Sequence, residues 1–133
     1  MKEETRLPIA LLALRLGVFL VMLVWTADKF VDTDHALRVF ESFYFLQGIG
    51  PAVMYVVGAV ELLIILGFLL GIAKRFTYGA VLLFHGISTL ASFPLYLNPM
   101  ENRMFFAAWP MLAACLALYL LRERDTLWAV SRP

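Results

Sequence analysis

Four apolar runs, at about residues 7–27, 51–71, 76–97 and 104–121, occupy most of this 133-residue chain and leave it few ways to fold. At a helical rise of about 1.5 Å per residue, each run approaches the ~30 Å needed to cross the hydrocarbon core of a bilayer. The runs are apolar nearly all round, whereas a helix on the surface of a soluble domain is apolar on one side only. Composition agrees, with 62% hydrophobic residues, 16% charged residues and a mean hydropathy of +0.83. The expectation is an all-α integral membrane protein, one domain over 1–133, built as a four-helix bundle.

Several function classes fall away at this level. The net charge is +1 and the one basic cluster inside the chain is Lys74-Arg75, so the positive stripe that nucleic-acid binding needs is missing. A single cysteine, Cys115, allows neither an internal disulfide nor a paired-thiol relay. The sequence holds no Cys-x-x-Cys-His haem attachment, no thiolate cluster for iron-sulfur centres and no glycine-rich nucleotide loop. By itself it is therefore not expected to be a complete enzyme. The first run follows Lys2 and Arg6 as a secretory signal would. Its length, the internal Arg15 and the lack of a small-x-small cleavage pattern before Asp28 make it the first span instead.

Cytoplasmic connections retain positive charge, which sets the orientation. Lys2, Arg6, Lys74, Arg75, Arg122, Arg124 and Arg132 fall on one side of a four-span chain, and Lys29, Arg38 and Arg103 on the other. Both termini are thus expected in the cytoplasm. The tight turn Gly71-Ile-Ala-Lys-Arg75 makes the second and third spans antiparallel neighbours. Between the first two spans, residues 34–46 predict an interfacial helix lying flat on the outer face, with Asp34 as its cap. Its apolar stripe is Leu37, Phe40, Phe43 and Tyr44, opposite Arg38 and Glu41. Asp32, Asp34 and His35 carry metal-ligating atoms, but such residues are common at a capped helix start, and no metal site is assigned.

Three ionisable residues lie inside the apolar runs. At the helical rise Arg15 sits about 12 Å from Leu7, Glu61 about 15 Å from Gly71 and His85 about 13 Å from Phe76, which predicts one mid-membrane layer. A charge at the centre of a spanning helix costs roughly 2.5 to 3.5 kcal/mol on insertion scales, so Arg15 and Glu61 are expected to pair. Helical spacing adds Tyr78, Ser88, Thr89, Ser92 and Tyr96 to the His85 face, and Lys29 to the Arg15 face through Met22. The cluster can be read as a packing and register device, or as a proton relay or polar head-group pocket built around histidine. Gly67-Phe-Leu-Leu-Gly71, and the alanines at 107, 108, 113, 114 and 117, suit close helix packing.

Arg15-Leu16-Gly17 followed by Lys29, and Gly58-Ala-Val-Glu61-Leu62 with Gly67 and Gly71 ahead of a basic turn, resemble the motifs of the DoxX-like membrane proteins over about residues 10–121. That family's first helix typically reads Arg-Leu-x-x-Gly with a later Gly-x-x-Lys, and its second carries Gly-x-x-Glu-Leu. Here Gly17 falls two residues after Arg15, and Thr26 stands where the glycine before Lys29 would be. The resemblance implies a four-helix inner-membrane protein of the kind named after a small subunit of a quinone-linked oxidoreductase. It implies quinone as a candidate cofactor, surrounding lipids, and a redox partner subunit or further copies of the chain as partners. A membrane scaffold or assembly factor, and an oligomeric transporter of protons or small solutes, are the competing classes.

Overall fold

The computed structural model describes residues 2–130 and is all-helical, with no strand among them. Helices α1 (Glu3–Val31), α2 (Thr33–Phe43), α3 (Pro51–Leu70), α4 (Lys74–Ala91), α5 (Phe93–Tyr96) and α6 (Ala108–Leu120) follow in order. A 3-10 turn (Arg103–Ala107) leads into α6 and another (Arg122–Arg124) follows it. Three segments, α1, α3 and Arg103–Leu120, are long and apolar enough to cross a membrane. In α4 the polar residues Lys74, Arg75 and His85 dilute an otherwise apolar sequence.

The long helices close into a ring in which α1 packs on α3, α3 on α4, α4 on α6 and α6 back on α1. Leu11, Val18, Met22, Ile65, Phe68, Val81, Cys115 and Leu118 fill its centre. Alternating chain direction brings the start of α1, the end of α3, the start of α4 and the end of α6 to one end, called here the inner end. Arg132, which belongs with the basic residues of that end by sequence, lies outside the described residues.

Two elements depart from expectation. The run 76–97 is not one helix, because Pro94 has no N–H to give to the carbonyl of Leu90, and the chain breaks at Ser92 into α4 and the short α5. The predicted 34–46 helix is shorter, Thr33–Phe43, and its cap is Asp32 rather than Asp34. The Asp32 carboxylate accepts from the His35 N–H at 3.4 Å, while Phe45 and Gly48, both at positive φ, turn the chain away from helix.

The turn between α3 and α4 shows why its glycines stand where they do. Gly71 has φ 67°, Ile72 N–H donates to Gly67 O at 2.8 Å, and Gly71 N–H donates to Phe68 O at 3.2 Å. This Schellman ending satisfies the last carbonyls of α3. A Cβ on Gly71 would also lie 2.7 Å from the Ala129 Cβ, because residues after α6 fold back under this end of the ring. Val130 N–H donates to Leu70 O at 2.7 Å.

That returning segment carries the main electrostatic contact of the fold. Asp125 is fully buried and lies 3.2 Å from Arg15 Nη1, also fully buried. Tyr78 donates its hydroxyl proton to Asp125 Oδ2 at 2.6 Å and accepts from Arg15 Nη1 at 3.3 Å. Arg15 Nη2 donates to Leu127 O at 2.5 Å, and Lys74 Nζ to Asp125 O at 2.6 Å. The expected Arg15 and Glu61 pair is therefore corrected: Arg15 is matched by an acid from beyond the last long helix.

Removing one partner of a buried pair strands the other charge, at a cost of about 3–5 kcal/mol, whereas removing both can be nearly neutral. Arg15→Leu and Asp125→Leu should each lower thermal stability in detergent strongly, and the double change should lose much less than the two summed. Additive losses in a double-mutant cycle would refute the pairing.

Candidate functional site

At the opposite, outer end the ring is capped by α2. Lys29 stands in the last turn of α1, where the helix dipole favours a cation. Its side chain runs back toward the start of the helix, as side chains on helices do, donates to Trp25 O at 3.4 Å, and reaches Glu61 Oε2 at 2.8 Å. Gly58, one turn before Glu61 on α3, makes this possible. A Cβ there would lie 2.8 Å from the Phe30 ring and 3.3 Å from the Lys29 Cβ, so glycine lets α1 and α3 close to the reach of a lysine. The Lys29 ammonium also sits 5.9 Å from the centre of the Phe40 ring of α2.

His85 is 1% exposed and lies near this ion pair. Its ring stacks on Trp25 with centroids 5.7 Å apart. Nε2 lies 2.9 Å from Ala108 O and 3.3 Å from the Thr89 hydroxyl oxygen, whose own proton goes to His85 O at 2.7 Å. A carbonyl only accepts, so Nε2 carries the proton and the neutral ring leaves Nδ1 as an acceptor. Nδ1 has no hydrogen-bond partner among the described residues.

Around these groups lies a chamber of about 780 Å³. Met22, Trp25 and Lys29 of α1, Ala36, Val39 and Phe40 of α2, Val57 and Glu61 of α3, and Phe84 and His85 of α4 all contribute to its walls. Its surface is mainly apolar, with the ion pair, His85, Ser88 and Ser92 as polar points. That combination suits an apolar molecule with a small polar group to be oriented. At the rim, His35 Nδ1 lies 2.7 Å from Asp28 Oδ2, and Asp28, Asp32 and His35 come within 4.8 Å of one another. Asp34 is not part of this group. Asp32 is occupied as a helix cap and the three are largely solvent-facing, which gives no enclosed metal site.

The single layer expected for Arg15, Glu61 and His85 is thus divided. Arg15 and Tyr78 belong to the inner cluster, while Lys29, Glu61 and His85 belong to the outer site, about 21 Å away along α1 between Arg15 and Lys29 at the helical rise. Ser88, Thr89 and Ser92 stay with His85, although the Ser92 hydroxyl is turned to Ser88 O at 3.0 Å. Sequence reasoning missed Asp125 and Trp25. Asp125 looked like a terminal charge, yet Arg15 and Lys29 against Glu61 leave one buried cation unmatched, and that imbalance was the available signal. Trp25 carried no signal beyond its neighbours in an apolar run.

Gly58→Leu should force α1 from α3 and break the Lys29 and Glu61 pair, lowering unfolding free energy in detergent by about 2 kcal/mol, typical of overpacking. Gly17→Ala, on the same helix as Lys29 but with nothing within 4 Å of the new Cβ, should be neutral or stabilising by up to about 1 kcal/mol. Equal melting curves for Gly58→Leu and the parent would contradict the close contact.

Comparison with protein-family models, with curated proteins and with solved structures finds no match to this chain.

Proposed function

We propose that this chain is a four-helix protein of the bacterial inner membrane, with both termini cytoplasmic, and that its outer chamber holds the polar ring head group of a membrane amphiphile, quinone being the example. In this reading α4 is the fourth span, α2 lies flat on the outer face, and the protein serves as an accessory subunit to a membrane redox partner.

The observation that carries the proposal is the chamber itself: apolar walls, with a buried ion pair and a histidine whose Nδ1 is left without a partner. Intramembrane ionisable groups are rare and commonly mark ligand or proton pathways. The inverted character of α4 supports a lipid surround. Lys74, Thr77, Tyr78, His85 and Thr89 are buried, whereas Leu83, Ile87 and Leu90 are exposed, which suits hydrocarbon and not water. The inner end gathers Lys2, Arg6, Lys74, Arg75, Arg122 and Arg124, in keeping with a cytoplasmic face. Two pieces that carry the DoxX-like resemblance, Lys29 and Gly58-x-x-Glu61, meet at the contact of α1 and α3. The Arg15 and Asp125 cluster, by contrast, matches its charges within the described residues and is read as packing, although Arg15 Nε has no hydrogen-bond partner there.

Native mass spectrometry of protein extracted mildly from its own membrane tests the ligand. The parent should carry a small apolar adduct with a ring head group; Glu61→Gln and His85→Gln should both release it, and His85→Gln should do so while melting within about 1 kcal/mol of the parent. A parent that keeps lipids but no such adduct, or variants that retain it, would sink the reading. Orientation is tested separately in intact cells, where cysteine placed at Thr33 should react with an impermeant thiol reagent and cysteine at Glu3 should not.

A further inference from the structure

The chamber beneath α2 is not the only space that reaches His85. A second cavity, of about 630 Å³, lies between α1, α4 and α6 and shares Trp25, His85, Ser88, Ser92 and Phe105 with the chamber. Its lining includes small residues, Ala13 and Gly17 from α1 and Ala107, Ala108 and Ala114 from the α6 side, among larger apolar ones such as Val21 and Met111. Gly17 is exposed, and a Cβ built on it meets nothing within 4 Å. The α1 helix packs more closely on α3 than on α6, which makes this the less tightly packed side of the ring. At the junction of the two spaces stands His85, 1% exposed, with Nδ1 lacking a partner.

From these shared lining residues we infer that the cavity between α1 and α6 is the second half of one binding site: it opens sideways to the hydrocarbon of the bilayer and takes the apolar tail of the amphiphile whose head group rests in the chamber. The inference rests on the chamber reading above. The physical reasoning is one of solubility. A molecule dissolved in lipid approaches from within the bilayer, and its tail must stay in apolar surroundings while its head group reaches polar partners. The chamber supplies those partners, and the wall of alanines and glycine supplies the apolar opening. Trp25, which lines both spaces and stacks on His85, lies where head and tail would join.

The test uses the full chain in phosphatidylcholine nanodiscs. The probe is a quinone carrying a ten-carbon chain that ends in a photoactivated diazirine, and labelled residues are read by peptide mass spectrometry. The expected result is insertion at residues 13–21 and 107–114, displaced by an excess of the same quinone without a tail. Gly17→Phe, which fills the open space, should cut that labelling about tenfold while the tail-less quinone still quenches tryptophan fluorescence and the melting temperature holds. Labelling that is displaced by the tail-less quinone but falls elsewhere would overturn the tail path and leave the chamber reading standing. Labelling at 13–21 and 107–114 that the tail-less quinone does not displace would mark ordinary lipid contact and also overturn it. No displaceable labelling anywhere, with no quenching by the tail-less quinone, would overturn the chamber reading and this inference together.

Discussion

The buried contact of Arg15 with Asp125 is the constraint on which the rest of the structure depends. A guanidinium with no exposure must find a carboxylate, and the nearest one in space comes from beyond the last long helix. Meeting that demand draws residues 122–130 under the ring, brings Tyr78 and Lys74 into the same network, and ties the end of α3 to Val130. A buried pair of this kind adds little net stability over a well-packed apolar core. Its effect is specificity, because only one arrangement of α1, α4 and the terminal segment leaves neither charge alone.

The outer end answers a similar demand differently. Lys29 and Glu61 come from neighbouring helices and keep a small share of exposure, 10% and 17% for their side chains. A pair that is incompletely enclosed can exchange partners with a bound molecule at lower cost than the inner pair could. Beside it, His85 has its Nε2 proton committed to Ala108 and Thr89 and its Nδ1 lone pair uncommitted. One end of the molecule is thus closed electrostatically, and the other keeps unused capacity next to space.

Much of the architecture was legible in the chain itself. Apolar length pointed to the long helices, Pro51 and Gly71 bounded α3 closely, and the amphipathic stretch 34–46 pointed to α2, one residue late at its start and three at its end. What periodicity could not convey was which buried charge meets which. Placing Arg15, Glu61 and His85 in one layer assumed side chains that stand level with their own Cα atoms. The Lys29 side chain instead runs back along its helix to reach Glu61, and Arg15 turns toward the terminal segment. Distance along a helix is readable from sequence, but the partner of a long flexible side chain is decided by which opposite charges the packing brings within reach. The break at Ser92 has its signal in Pro94, which lies hidden inside an apolar run that continues to Leu97.

The position of Asp125 also imposes an order on how the molecule is made. Arg15 and its acceptor Leu127 are 112 residues apart, so a ribosome working at 5–20 residues per second needs roughly 6 to 20 s between them. Throughout that interval the first helix holds an uncompensated guanidinium, shielded only by water at the membrane surface, by lipid head groups or by another protein. The inner end can lock only after the last helix is in place and the chain beyond it has been released to fold back. The inner end is therefore completed no earlier than Asp125 is made, and a nascent chain halted before that residue would display its unpaired arginine as a mark of being unfinished.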